Sequence, residues 1–214
     1  MTRLAEIIQL PADKTALVIV DMQNECIDSS GKIYIGRMGN AIVPKIRVLL
    51  ETARNHKILT IYAQTWYEKD DPRFSNHHRA SAPSNGCLAN TFGAAIIDEL
   101  KPISGDVVIR KSSFDCWFGT NLERALKSRR FGTFFSGSMH RNRLTNDRYV
   151  IVTGVSSNVC VDKAVFGFYL RGYEVIIPVD CIASKNHAKQ SWAISQFRDL
   201  YHLRLTRSDL IKIT

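Results

Sequence analysis

The chain has 214 residues, of which 45% are hydrophobic and 23% charged, so it can bury a sizeable core, and we predict one domain over residues 1–214. It shows neither a signal-peptide segment nor an apolar run of membrane-spanning length, so we expect a cytoplasmic protein with no membrane partner. The net charge of +9 makes nucleic acid a candidate partner. Five cysteines without a C-x-x-C pair argue against a zinc knuckle and a disulfide framework.

The first half of the chain is predicted to alternate between strands and helices. Residues 16–20 form a short apolar run rich in β-branched side chains, which is typical of a strand covered on both faces. Apolar positions recur at helical spacing over residues 42–55. Strands are then predicted at residues 58–63 and 107–109, followed by a helix at 121–130.

The second half continues the same alternation. We predict a fourth strand at residues 150–152, a helix from Cys160 to Arg171 and a fifth strand at 174–179. A last helix is predicted at 187–200, and residues 203–206 are a candidate edge strand. Strands that alternate with helices in this way predict an α/β protein whose parallel sheet has helices on both faces.

Chemically active side chains follow three of these predicted strands. Asp21 comes directly after the first, Lys111 after the third and Cys160 after the fourth. Ligands of open α/β sheets sit outside the carboxyl ends of the strands, so we expect a carboxylate, a cation and a thiol to meet there. Cys160 also opens a predicted helix, whose N-terminal dipole favours a thiolate. Each residue taken alone also has a structural explanation. Asp21 could be a turn or helix-capping residue, Lys111 a surface cation and Cys160 a small buried hydrophobic residue.

Three segments of the chain resemble the isochorismatase-like cysteine hydrolases. In the order found in that family, they are VDMQN at 20–24, KSSF continuing to FGTNL at 111–122, and TGVSSNVCV at 153–161. The resemblance runs from about residue 15 to residue 184. It implies a three-layer α/β/α sandwich with a mainly parallel, Rossmann-like sheet, and an Asp-Lys-Cys triad carried by Asp21, Lys111 and Cys160.

The resemblance also implies a mechanism. Asp21 would act as the base, Lys111 would stabilise the charges, and Cys160 would attack a carbonyl carbon to form a thioester that water hydrolyses. A cis peptide between Val155 and Ser156 is implied, with the backbone N–H groups of Ser156 and Cys160 as oxyanion donors. A homo-oligomer, a dimer or tetramer, is implied as well.

The motifs are most similar to those of ureidoacrylate, biuret and N-carbamoylsarcosine amidohydrolases. We therefore expect a small-molecule amide or ureido substrate. Two alternatives stay open. The first is hydrolysis of an ether, as in true isochorismatases, or of an ester. The second is a non-catalytic role as a binding or scaffold protein.

No metal and no cofactor are predicted. Nicotinamidases of this superfamily carry an Asp-x-His pair and a further His after the second strand to hold a metal, whereas the matching stretch here reads QTWY at residues 64–67. His77 and His78 lie nearby, but sequence neighbours rarely chelate one ion without other ligands. We interpret them as part of a solvated loop.

Six residues on the predicted loops are candidate substrate contacts. Asn24 or Ser113 would hydrogen-bond an amide or ureido group, and the other four are aromatic. Ordinary loop packing explains the aromatic side chains equally well. The six are Asn24, Trp66, Tyr67, Ser113, Phe114 and Trp117, while the remaining thiols, Cys26, Cys87, Cys116 and Cys181, are interpreted as structural.

The helix after Cys160 departs from the family pattern. Ala164, Phe166 and Gly167 stand where a Thr and an Arg-Asp pair are usual. The helix face with Phe166, Phe168 and Tyr169 is more apolar than usual, and we predict that it packs against another subunit or a different neighbour.

A basic insertion near residues 131–148 is the second departure, because family members have a shorter connection there. It interleaves Phe131, Phe134 and Phe135 with basic residues, a composition that suits phosphate and base contacts. No RNP, helix-turn-helix or zinc-finger pattern supports that role, so we do not expect nucleic acid as a partner. A lid, a subunit contact and a disordered insertion remain as interpretations.

Overall fold

A parallel sheet forms the centre of the molecule. The computed structural model describes residues 6–69, 86–131 and 148–214. In chain order the strands are β1 (Ile8–Leu10), β2 (Thr15–Val20), β3 (Leu59–Thr65), β4 (Val107–Lys111), β5 (Tyr149–Val155), β6 (Glu174–Pro178), β7 (Ile182–Ala183), β8 (Arg204–Thr206) and β9 (Ile211–Ile213). The main sheet has the spatial order β4-β3-β2-β5-β6-β8, with β7 paired to β5, and all its pairs are parallel.

Helices cover both faces of this sheet. They are α1 (Asn24–Ile27), α2 (Arg37–Asn55), α3 (Leu122–Ser128), α4 (Cys160–Leu170) and α5 (His187–Ser195), the last continuing as a π-helical segment, Gln196–Leu200. The buried side chains of α2 belong to one core, and those of α3, α4 and α5 belong to the other. The predicted three-layer α/β/α arrangement is therefore confirmed.

Strand β2 shows why the sheet needs cover on both sides. All six of its residues are buried. Leu17 and Ile19 point into the core beneath α2, while Val18 and Val20 point into the core beneath α4, because side chains alternate along a strand. The continuous apolar run thus marks a central strand, as the sequence predicted.

The strand order reverses next to β2. From β2 the chain moves outward to β3 and β4 on one side, and it then returns to β5 on the other side. The carboxyl ends of β2 and β5 therefore flank a topological switch point, where open α/β sheets bind ligands. Asp21 follows β2 there, and Cys160 opens the helix that follows β5.

Several elements differ from the sequence predictions. Helix α2 begins at Arg37 and not at residue 42, with Pro44 inside it although proline usually stands in a first helical turn. Strand β5 extends to Val155, past its predicted end. Strands β1 and β9 pair in a small second sheet that was not predicted, since three-residue strands carry too little periodicity to recognise.

The two described ends of the basic insertion lie together. Phe131 is buried and stacks on Tyr173 with 6.0 Å between ring centroids, and Arg148 lies 5.3 Å from the Phe131 ring centre. Phe131 is thus a core residue, so the base-stacking interpretation fails at this position. Residues 132–147, with Phe134 and Phe135, lie outside the described part of the chain.

None of the helices within the described ranges is long and apolar enough to cross a membrane.

Gly154 allows β5 to approach β2 closely, and its replacement provides a test of this packing. The residue has φ +111°, and a Cβ there would overlap the backbone of Val20, its partner across the two strands. We expect Gly154→Ala to lower the free energy of unfolding by at least about 3 kcal/mol in urea denaturation, the sum of backbone strain and overlap.

Gly105→Ala is the matched control, because Gly105 has φ +98° but open space around its Cα. It should cost about 1–2 kcal/mol. Equal losses in the two variants would contradict the close approach.

Candidate active site

Asp21, Lys111 and Cys160 come together at the switch point. Lys111 Nζ lies 2.8 Å from Asp21 Oδ2 and 3.5 Å from Cys160 Sγ. The Lys111 side chain has no solvent exposure and that of Asp21 only 4%. A carboxylate, an ammonium group and a thiol that lie 90 and 49 residues apart in sequence thus share one protein-lined volume.

Asp21 is held in place by the neighbouring strand. It has a positive φ of 49°, a conformation that aspartate tolerates better than most residues, and its N–H donates to Ala63 O. Its Oδ1 accepts hydrogen bonds from both the N–H and the hydroxyl of Thr65, each at 2.9 Å. Our sequence reasoning missed Thr65, although its place at the end of a strand was a signal of the kind that singled out Asp21.

Lys111 is the last residue of β4, and the alternation of side chains along the strand places its side chain on the face that holds the site. Its Nζ donates to Asp21, to Thr65 Oγ1 at 2.7 Å and to the carbonyl of Ser113 at 3.3 Å. Burial alone would lower the pKa of Lys111, but the attraction of Asp21 and Cys160 outweighs it and raises the pKa above its usual range. The side chain therefore stays an ammonium group.

Cys160 is the first residue of α4 and is partly exposed, whereas the other four cysteines are buried. Burial of the sulfur and the negative charge of Asp21 raise the pKa of the Cys160 thiol, and the charge of Lys111 only partly offsets them. A hydrogen bond to Asp21 further favours the protonated form. The resting thiol is therefore neutral, with a carboxylate beside it that can take its proton.

The turn before Cys160 spans residues 156–159 and connects β5 to α4. The peptide bond between Val155 and Ser156 is cis, as the resemblance implied. The N–H of Ser157 donates a hydrogen bond to the carbonyl oxygen of Ala183 at 2.8 Å. No acceptor in the described part of the chain binds the N–H of Ser156 or Cys160, so both are available to a ligand.

A buried polar network secures this turn. The hydroxyl of Ser157 donates to Gln190 Oε1 at 2.8 Å and lies in close contact with the hydroxyl of Ser184. The Ser184 hydroxyl donates in turn to Asn158 Oδ1 at 2.7 Å. This network was not predicted, because it joins residues that follow different strands.

Two of the six candidate substrate contacts, Tyr67 and Ser113, interact with the triad, and the positions of Asn24 and Phe114 are described by other contacts and by exposure. Tyr67 is buried and interacts electrostatically with Lys111 and Cys160, and burial raises its pKa to about 12, so the phenol is neutral. The Ser113 carbonyl holds Lys111, and Phe114 beside it is half exposed. The amide of Asn24, in the helix that follows Asp21, donates to Phe92 O at 2.9 Å.

The two tryptophans point elsewhere. Trp66 follows Thr65 directly, so its side chain points to the opposite face of the sheet, away from the triad. The guanidinium group of Arg110 lies 3.9 Å from the centre of the Trp66 ring on that face. Trp117 packs on Phe168 with ring centroids 4.8 Å apart. Phe168 lies eight residues beyond Cys160, about 12 Å along the helix. The structure therefore does not bring Trp66 or Trp117 to the thiol.

The departures on α4 have a packing explanation. A Cβ on Gly167 would overlap the Trp117 ring, so glycine makes room for this tryptophan. Ala164 and Phe168 are fully buried within the chain's own core. Phe166 and Tyr169 remain partly exposed and each lies 5.6 Å from Tyr201 by ring centroids. A subunit contact on this face stays a prediction.

Metal-binding side chains do not cluster in the described residues, since no group of three or more His, Cys, Asp or Glu side chains there could hold an ion. His77 and His78 lie outside those residues.

Comparison with known proteins assigns the chain to a family. Residues 15–208 match the isochorismatase domain, a stretch that spans the whole main sheet and contains Asp21, Lys111 and Cys160. The chain belongs to the isochorismatase family. This confirms the resemblance inferred from its three motifs.

Individual relatives have related names. The chain is 28% identical over 194 residues to the ureidoacrylate amidohydrolase of Rhizobium rhizogenes, covering 80% of this chain and 72% of that protein. The structure of N-carbamoylsarcosine amidase from Thermoplasma acidophilum superimposes with a TM-score of 0.71 at 25% identity, covering 92% and 97% of the two chains. A nicotinamidase from Bacillus subtilis has a TM-score of 0.76 at 19% identity, covering 91% of this chain and all of that one, and shows the shared fold.

The buried thiols should make the protein sensitive to alkali. Burial raises the pKa of Cys116, and likewise that of Cys181, to about 12. Between pH 9 and 12 the unfolded chain loses these protons while the folded chain keeps them, so the free energy of unfolding falls as pH rises. Each thiol contributes a slope of up to about 1.4 kcal/mol per pH unit.

We expect Cys116→Ala to reduce that slope in urea denaturation series run between pH 8 and 11. Val150→Ala removes apolar volume from the same core without removing a titrating group, so it should lower stability equally at every pH. An unchanged slope in Cys116→Ala would contradict the pKa assignment.

Proposed function

We propose that this chain is a cysteine amidohydrolase that cleaves an amide or ureido C–N bond of a small molecule through a Cys160 thioester. One observation carries the proposal: the buried Asp21–Lys111 ion pair lies against a neutral thiol at the switch point of the sheet. A base, a fixed positive charge and a nucleophile are the groups that this chemistry requires.

The first half of the reaction would form the acyl-enzyme. Cys160 passes its proton to Asp21 and its sulfur attacks the carbonyl carbon, while Lys111 stabilises the negative charge that the carboxylate gives up and the thiolate gains. The oxygen of the tetrahedral intermediate would accept hydrogen bonds from the N–H groups of Ser156 and Cys160. Their lack of acceptors among the described residues supports this role.

The second half would release the products. Asp21 returns its proton to the departing nitrogen, so the C–N bond breaks and ammonia or an amine leaves. Water then attacks the thioester with Asp21 again as base, and the thiol is regenerated. The high pKa of the Cys160 thiol suits this cycle, because the proton must move to and from a neighbouring base rather than to solvent.

The names of two relatives support a proposal for the substrate class. Two relatives are named for a ureido or carbamoyl compound, and we propose the same bond type for this chain. Tyr67, Asn24, Ser113 and Phe114 are the proposed substrate contacts, and the interactions of Tyr67 and Ser113 with the triad support this role for those two. We further propose that the protein acts in the cytoplasm as a homo-oligomer.

The decisive experiment measures ammonia release from ureidoacrylate, biuret, N-carbamoyl amino acids and nicotinamide. We expect turnover of at least one ureido or carbamoyl compound and a mass increase on the Cys160 peptide equal to the acyl group. Cys160→Ala should abolish both signals, while Cys181→Ala, which removes a thiol that is buried between other elements, should keep them.

Two results would contradict the proposal. Turnover that survives Cys160→Ala would indicate chemistry without a thioester, as in ether hydrolysis. Absence of turnover combined with salt-sensitive binding of single-stranded RNA would indicate the non-catalytic alternative.

Chelation tests the proposed independence from metal. We expect kcat/KM to stay within about twofold of its starting value after dialysis against EDTA, because none of the proposed steps needs a Lewis acid. Activity that is lost on dialysis and restored by zinc or iron salts would show that the prediction is wrong.

A further inference from the structure

We propose that Thr65 is a positioning residue that sets where the protons of the Asp21–Lys111–Cys160 triad lie. Its consequence for turnover rests on the proposed function, whereas its effect on the thiol does not. The proposal starts from the spatial order of the strands.

Lys111 and Asp21 come from strands that are not neighbours. In the order β4-β3-β2, strand β3 lies between them, and Thr65 on β3 is in register with Lys111 on β4. Any ion pair between the two must therefore form across the end of β3. The Thr65 hydroxyl occupies that position, 2.7 Å from Lys111 Nζ and 2.9 Å from Asp21 Oδ1.

These two contacts determine the direction of each hydrogen bond. An ammonium group can only donate, so the Thr65 oxygen accepts from Lys111. The single hydroxyl proton of Thr65 is then left for Asp21 Oδ1, which must accept it as a carboxylate oxygen. The backbone N–H of Thr65 donates to the same oxygen.

Asp21 Oδ1 thus receives two donors from one residue. Oδ2, which accepts from Lys111, remains as the oxygen that can take a proton from Cys160. Thr65 in this way holds one carboxylate oxygen and leaves the other oriented towards Lys111 and the thiol.

Gln23 holds Thr65 in this orientation. Its Oε1 accepts from the Thr65 N–H at 2.9 Å, and its Nε2 donates to the Thr65 carbonyl at 2.8 Å and to Ala94 O at 2.7 Å. Gln23 is itself completely buried. The backbone of Thr65 is therefore clamped on both sides, and its hydroxyl has little freedom to turn away.

Thr65→Val removes the hydroxyl and keeps the shape of the side chain. The Asp21 carboxylate then loses one of its charge-assisted hydrogen bonds, the one that the Thr65 hydroxyl donates to Oδ1. We expect the acid limb of the pH–activity profile to move up by about one pH unit, so that kcat/KM at a pH on that limb falls about tenfold.

The same shift should appear without any substrate. Alkylation of Cys160 by iodoacetamide, followed as a function of pH by mass spectrometry of its peptide, also requires Asp21 in its carboxylate form to take the thiol proton. We expect its acid limb to move up by about the same amount in Thr65→Val. If the chain turns over none of the amides, this measurement alone decides the role of Thr65, so the two proposals fail separately.

Two control variants separate positioning from packing. Thr65→Ser keeps the hydroxyl and should keep both acid limbs. Thr153→Val removes a buried strand hydroxyl that donates only to Val18 O, so it should change the melting temperature without moving either limb. Should Thr65→Val not fold, Thr65→Ala, which also lacks the hydroxyl, takes its place. A folded Thr65→Val with wild-type acid limbs, or a Thr65→Ser that shifts as far, would overturn the proposal.

Discussion

The structure depends on a charged pair that is buried almost completely. Moving Asp21 and Lys111 out of water costs several kcal/mol per ion, and their attraction repays this only if the remaining polar atoms find partners. Here both carboxylate oxygens are bonded, and the ammonium group contacts a carboxylate, a hydroxyl, a carbonyl and a thiol. Such an arrangement tolerates little displacement, because a lost partner leaves a buried charge uncompensated.

The sheet supplies the required rigidity. Its central strand is covered on both faces by apolar side chains, so the backbone position that carries Asp21 is set by two cores at once. Gly154 lets β5 approach on the other side, which brings the start of α4 and its cysteine within reach. Packing far from the chemistry thus determines distances of a few ångströms at the site.

A neutral thiol beside this pair has a specific chemical meaning. Helix N-termini and lysines usually favour a thiolate, yet here burial and a neighbouring carboxylate outweigh them and raise the pKa of Cys160. In the proposed mechanism the thiol keeps its proton until Asp21, acting as the base, removes it. Thr65 and Gln23 then belong to the proposed machinery, because their hydrogen bonds orient that base.

The sequence by itself indicated most of the order of strands and helices, the covered central strand and the meeting of Asp21, Lys111 and Cys160, because apolar periodicity is local and these three residues follow strand ends. Only the tertiary structure decided the rest. Strand register and residues that are distant along the chain determine three features: the contacts between Thr65 and Gln23, the direction of the Trp66 side chain away from the triad, and the pairing of β1 with β9. A one-residue change of register reverses the face of a side chain, and no local pattern records which register the folded sheet adopts.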